Sequence, residues 1–339
     1  MLRRYFAIVV LGFWMLGLSS MESAADTPPV KLNEWDVPWD NSRPRDPFAQ
    51  SEDAVWFVGQ RGNYVAMLNP KDGSFKKYDL PDKALPHNLI VDSKGIVWYA
   101  GNGDSHIGRI DPASGDIERI GMPDKAARDP HTLVFDKNEN IWFTVQGGNF
   151  VGHLDTDSRE VRLIKVPTKG ARPYGIELDS RGRPWVVEFG SHKLALIDPE
   201  SFTLKEIDLP REDARPRRIA ITSDDMIWYV DYADGYLGRY NPHNGMFNEW
   251  LAPGGSGARP YGLEADDEDR LWFVEFGGDP ARFVGFDTRK EEFIGVTDIP
   301  SGGGVRHMHY YQPTQTIWFG TDSNTIGRIQ VPVSPQLTN

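Results

Sequence analysis

Cysteine is absent from all 339 residues, so disulfides, thiol nucleophiles and cysteine-ligated zinc are excluded at the outset. Positive charge is scarce as well. Lys and Arg number 37 against 49 Asp and Glu, a formal net charge of -12. That balance repels phosphate backbones and anionic bilayers, so neither a nucleic acid nor a membrane surface is an expected partner. An apolar stretch from Tyr5 to Leu18 is too short to cross a bilayer comfortably. With Arg3 and Arg4 before it and Ser23-Ala24-Ala25 after it, the segment has the form of a cleavable secretory signal over residues 1–25. Cleavage would leave the mature chain slightly more acidic and place it in the periplasm or outside the cell.

Tryptophan, by contrast, is plentiful and regularly placed. Trp56, Trp98, Trp142, Trp185, Trp228, Trp272 and Trp318 follow one another at intervals of 42, 44, 43, 43, 44 and 46 residues. Seven strand-rich units of about 43 residues are the signature of a propeller array, each unit one four-stranded blade. The expected fold is therefore all-β, a single seven-bladed β-propeller over residues 26–333 with a tail at 334–339. A monomer is the expected state.

The fourth unit shows the plan of a blade. Tyr174 to Asp179 reads as the innermost strand, Pro184 to Phe189 as the second, Lys193 to Asp198 as the third and Leu204 to Leu209 as the fourth. Each is short and alternates with period two, with Gly, Asn, Asp or Pro at the joints. The third and fourth strands are joined by N-P-K-D-G at Asn69, D-P-A-S-G at Asp111 and N-P-H-N-G at Asn241, turns that suit glycine at positive φ. The last unit lacks its fourth strand, since the chain stops soon after Ile326 to Val331. A spare one stands at the other end, where Lys31 to Val37 resembles the fourth strands elsewhere. The N-terminal segment is expected to close the last blade and remove an open seam. Asp40 to Gln50 would then be a connection leading into the first inner strand.

Aliphatic residues are missing from one position of the repeat. Eleven residues before each tryptophan stand Arg45, His87, His131, Tyr174, Arg217, Tyr261 and His307. Every one is large and polar-tipped, whereas a packing position would be aliphatic or glycine. In a propeller the start of the innermost strand and the end of the second surround the same mouth of the central channel. Gln146, Glu188, Asp231 and Glu275, three or four residues after their tryptophans, are expected to join the ring there. Convergent titratable groups in a concavity are the default site. Glu188 and Glu275 equally suit bonding to strand-end backbone. Arg45 and Arg217 either pair with these carboxylates or hold an anionic ligand.

The repeat R-P-Y-G-I…W-V-V-E-F, with I-G-R-I on the third strand at Ile107 to Ile110 and Ile326 to Ile329, resembles the streptogramin B (virginiamycin B) lyase family over all seven units. The resemblance implies a seven-bladed propeller that opens a cyclic depsipeptide antibiotic by elimination across its ester, with Mg²⁺. The family's site has a His in P-H-A-I, an acid and a His in E-P-H-G, a later carboxylate, and a Tyr in P-Y-G-I. These fall on His87 in P-H-N-L, Asp129 and His131 in D-P-H-T, Gln146 in the carboxylate's place, and Tyr174 in R-P-Y-G. The start is circularly shifted, Asp replaces Glu, and Gln replaces the second carboxylate. By this resemblance His131 is the base, His87 a ligand or acid, Asp129 and Gln146 the Mg²⁺ ligands, and Tyr174 a substrate-orienting group. Arg217, Tyr261, His307, Glu188 and Glu275 complete the substrate-binding set. The alternatives are a lactonase-type propeller that activates water on a divalent ion, and a binding or scaffold propeller without catalysis.

Overall fold

Burial decides the order of strands within each blade. The innermost strands are apolar and buried along most of their length, as in Pro86–Val91, while the outermost alternate between inward and solvent-facing residues, as in Thr203–Asp208 and Met246–Leu251. A strand wetted on one face lies at the rim, and the strands buried on both faces lie inside it. In the computed structural model, which describes residues 30–332, these segments form seven four-stranded antiparallel sheets. The expected signal segment, residues 1–25, and the tail 334–339 lie outside the described residues. The fourth blade comprises Pro173–Leu178, Pro184–Glu188, Lys193–Asp198 and Thr203–Asp208, within a residue of the expected limits.

The ring closes as the missing strand requires. Lys31–Asp36 pairs antiparallel with Thr325–Gln330, from Lys31 opposite Gln330 to Asp36 opposite Thr325. Trp35 stacks on Trp318 with ring centroids 5.5 Å apart, and Glu34 accepts hydrogen bonds from Thr325 and the Ser301 amide. The expected connection over Asp40 to Gln50 is corrected, however. Pro44–Ser51 is itself the innermost strand of the first blade. The two prolines in P-R-D-P-F concealed it; irregular pairing between Arg45 and Phe48 accommodates them.

The core is not one mass but seven apolar slabs, one at each blade–blade interface. Each tryptophan of the series is buried in a slab, and in five blades its indole N–H donates to the residue six positions earlier: Gln50, Asp92, Asp179, Thr222 or Asp266. The glycine of the third strands has a packing cause. Gly108, Gly152, Gly238 and Gly327 lie opposite Tyr99, Phe143, Tyr229 and Phe319, whose rings cover them where a Cβ would stand. The I-G-R-I motif is thus half of an aromatic–glycine pair.

Candidate functional site

The entry to each innermost strand fixes the mouth. Arg43, Leu85, Asp129, Arg172 and Arg259, each two residues before a ring residue, adopt positive φ between 42° and 69°. The carbonyls of four of them, Arg43, Asp129, Arg172 and Arg259, take the amide N–H of Gln60, Gln146, Phe189 and Phe276 at the end of the second strand. In each of these four blades one bond therefore ties the start of the first strand to the end of the second at the same rim.

A cavity of about 370 Å³ opens there, lined by Arg45, His87, His131, Tyr174, Arg217 and Tyr261 of the ring, with Gln146, Asp129, Asn102 and Arg306 among its further walls. Three ring residues from consecutive blades pack in series, each tilted against the next. The His87 and His131 rings are 3.5 Å apart between centroids, and those of His131 and Tyr174 3.9 Å. Burial, followed by Arg45, holds His87 well below the usual imidazole range; burial, then Arg218 and Arg45, does the same to His131. Both are therefore neutral at neutral pH. His131 Nδ1 lies 2.9 Å from Thr132 Oγ1, which leaves Nε2 as the ring nitrogen without a protein partner. Arg217 Nη1 donates to the Tyr261 hydroxyl at 2.9 Å, and Tyr261 is hydrogen-bonded to Tyr174. Burial would raise the Tyr174 hydroxyl, but Arg218, Arg45 and Arg217 together hold it below the ordinary phenol value.

One layer below lies a charged plug that sequence reading missed. Arg218, 2% exposed, donates to Thr132 Oγ1 at 2.9 Å, to the Arg306 carbonyl at 2.8 Å and to Asp46 at 3.5 Å. Asp46 also accepts from Asn88 at 3.1 Å. Four blades are thereby joined across the axis to the fifth. The signal was present: directly after the ring residues stand Asp46, Asn88, Thr132 and Arg218, polar in four units where the others have Gly175, Gly262 and Met308.

Not every expected residue reaches the mouth. Glu188 accepts from Ser191 at 2.7 Å, Glu275 pairs with Arg282 and takes the Gly254 amide, and Asp231 pairs with Arg211 at 2.7 Å. All three stand three residues after their tryptophans, whereas Gln146, four after, lines the cavity; successive strand residues face opposite ways. In the first two blades glycine holds this position, and the rings of Tyr64 and His106 fill the space instead. His307 sits behind the wall near Asp46, its Nδ1 unbonded, with burial pushing it down to about 3. Arg306 lines the cavity in its place.

Asp129 and Gln146 both face the cavity, yet the donors around them do not fit Mg²⁺. Hard divalent cations need several oxygen ligands, carboxylates foremost. Here Asp129 is the single carboxylate lining the cavity, it already accepts from Asn102, and burial raises it to about 6. Arg43, Arg45, Arg217 and Arg306 line the same space. Among the described residues no three His, Asp or Glu side chains are placed to hold a metal ion.

Comparison with known proteins follows the fold. Virginiamycin B lyase from Staphylococcus aureus is 26% identical, with a TM-score of 0.81 over 89% of this chain and 99% of that one. A catalytically inactive histidine-to-alanine form of the Staphylococcus aureus enzyme with quinupristin is likewise 26% identical, with a TM-score of 0.80 over the same shares. A streptogramin B lyase structure at 24% identity and a TM-score of 0.80, covering 89% of this chain and 98% of that one, shares the fold. No curated protein sequence matches. The profile of the Virginiamycin B lyase family matches residues 13–197, more than half of the chain, and the protein belongs to that family.

Proposed function

We propose that the cavity at the channel mouth opens an ester by elimination, with His131 as base. The observation that carries this reading is the close packing of the His87, His131 and Tyr174 rings from three consecutive blades, in a family whose Staphylococcus aureus member is inactive when one histidine becomes alanine.

The chemistry requires a neutral base, a donor for the developing enolate, and a place for the leaving carboxylate. His131 is neutral, and in the tautomer whose Nδ1–H donates to Thr132 its Nε2 lone pair is free to take the proton alpha to the substrate carbonyl. The released electron pair forms the C=C bond, the C–O bond of the ester breaks, and the carboxylate departs with that bond's electrons. Arg217 donates to Tyr261; when Tyr261 in turn donates to Tyr174, the Tyr174 O–H is left to meet the enolate oxygen. The substrate's carbonyl thus finds a polarised donor without any step through a metal. Export of the chain, inferred from residues 1–25, would place this reaction outside the cytoplasm.

Depsipeptides with an O-acyl threonine, and quinupristin beside them, provide the test. Elimination yields an alkenoyl product that absorbs in the ultraviolet, and His131→Ala should slow its formation by about 10²–10⁴-fold, the usual worth of a general base. Turnover that survives this replacement would remove His131 from the role.

A further inference from the structure

Arg45 and Arg217 had two possible partners, the blade carboxylates or an anionic ligand, and the carboxylates are taken. Glu188, Asp231 and Glu275 bond to Ser191, Arg211 and Arg282. Arg217 lies instead among aromatic rings, with its guanidinium carbon 3.6 Å from the centre of Phe189 and 4.2 Å from that of Tyr232. Among the described residues no carboxylate comes within 4.0 Å of it, and its Nε is buried and unbonded. Arg45 is 5% exposed and lines the cavity; Nη1 donates to Gln60 at 2.9 Å, whereas Nε and Nη2 donate to nothing. Its nearest carboxylate, Asp46 at 3.6 Å, is shared with Arg218. Arg43 and Arg306 share Asp322 in the same way.

Four arginines line this mouth and a fifth, Arg218, lies one layer below, against Asp46, Asp322 and the half-buried Asp129, in a chain whose net charge is -12. Buried guanidinium N–H groups without acceptors are costly unless something satisfies them. The fork of a guanidinium fits an oxyanion with paired, charge-assisted hydrogen bonds. We infer that the mouth is an oxyanion site, and that its substrate carries a carboxylate or phosphate group held between Arg45 and Arg217. This deepens the ester-opening reading, on which it rests for the position of the reacting bond. The anion anchors the substrate on the Arg217 side while the ester lies over His131. Acidic ester substrates are selected, and cationic ones are repelled by the same field.

The test uses inert anions and the full chain. Sodium phosphate, sodium succinate and magnesium chloride are titrated calorimetrically at neutral pH, each at ionic strength matched with sodium chloride. Saturable one-to-one binding of phosphate or succinate is expected, and the tighter of the two identifies the group. Arg217→Gln and Arg45→Gln should each weaken it by about tenfold or more. Should Arg45→Gln fail to fold, judged by tryptophan emission, Arg217→Gln alone decides, since that residue is part-exposed. The inference is overturned if neither anion saturates, if Arg217→Gln binds as the wild type does, or if magnesium chloride saturates and Asp129→Asn abolishes it. Because no turnover is read, failure to eliminate an ester leaves a positive result standing, and failure to bind anions leaves the elimination test standing.

Discussion

Arg218 of the fifth blade reaches across the channel axis to Asp46 of the first, with Nη2 3.5 Å from Oδ2. Both side chains are almost wholly buried, and Arg218 also holds Thr132 of the third blade and the Arg306 carbonyl of the seventh. The pair closes the floor of the cavity and holds His131 through Thr132. Removing one partner strands the other's charge. Arg218→Met is expected to cost about 3–5 kcal/mol in urea unfolding, and adding Asp46→Asn should recover a large part of it. A double variant no more stable than Arg218→Met alone would show that the two charges are not coupled.

The closing strand makes a second prediction. Deleting residues 30–36 removes the partner of Thr325–Gln330 and the Trp35–Trp318 stack, baring the edge of the last blade. Loss of a loose terminus costs a few tenths of a kcal/mol. This deletion should cost several times that and promote self-association through the exposed edge. Unfolding and sedimentation of the shortened chain check both effects.

His309 allows a clean pH experiment. It stacks on Phe48 at 4.3 Å in the channel, and burial pushes it down to about 4 from an unfolded value of 6.5. Between those values the unfolded chain binds more protons than the folded one, so stability falls as pH drops through that window. The half-buried Glu177 and Glu264 carboxyls are raised by desolvation and act in the opposite sense, but they do so equally in wild type and variant. The stability lost between pH 8 and pH 5 should be smaller in His309→Phe by about 2 kcal/mol. Parallel pH profiles would show that His309 takes up its proton alike in the folded and unfolded chain.

The repeat itself was easy to read, because each blade must present the same buried tryptophan and the same strand period. The closure by Lys31–Asp36 followed from counting strands. The ring of Arg45, His87, His131, Tyr174, Arg217 and Tyr261 followed from register, since the start of each inner strand and the end of the next meet at one mouth. What escaped was anything set by a single-residue alternation. Glu188, Asp231 and Glu275 differ from Gln146 by one strand position, which turns the side chain away from the axis. Asp46 and Arg218 follow ring residues in strands with irregular pairing between Arg45 and Phe48 and between Pro216 and Arg218, where simple alternation no longer gives the facing. Partnership is equally invisible in a sequence: nothing in it reserves Glu275 for Arg282 and leaves Arg217 among Phe189, Tyr232 and Tyr261.

Heavy-oxygen water tests the central claim most directly. An O-acyl threonine depsipeptide bearing a free carboxylate is turned over in that solvent, and the products are weighed. Elimination breaks the C–O bond without water, so the account predicts fragments whose masses sum to that of the substrate, a new C=C bond, and no heavy oxygen in either. One heavy oxygen in a product fragment would mean hydrolysis and would contradict the assignment of His131 as the base of an elimination.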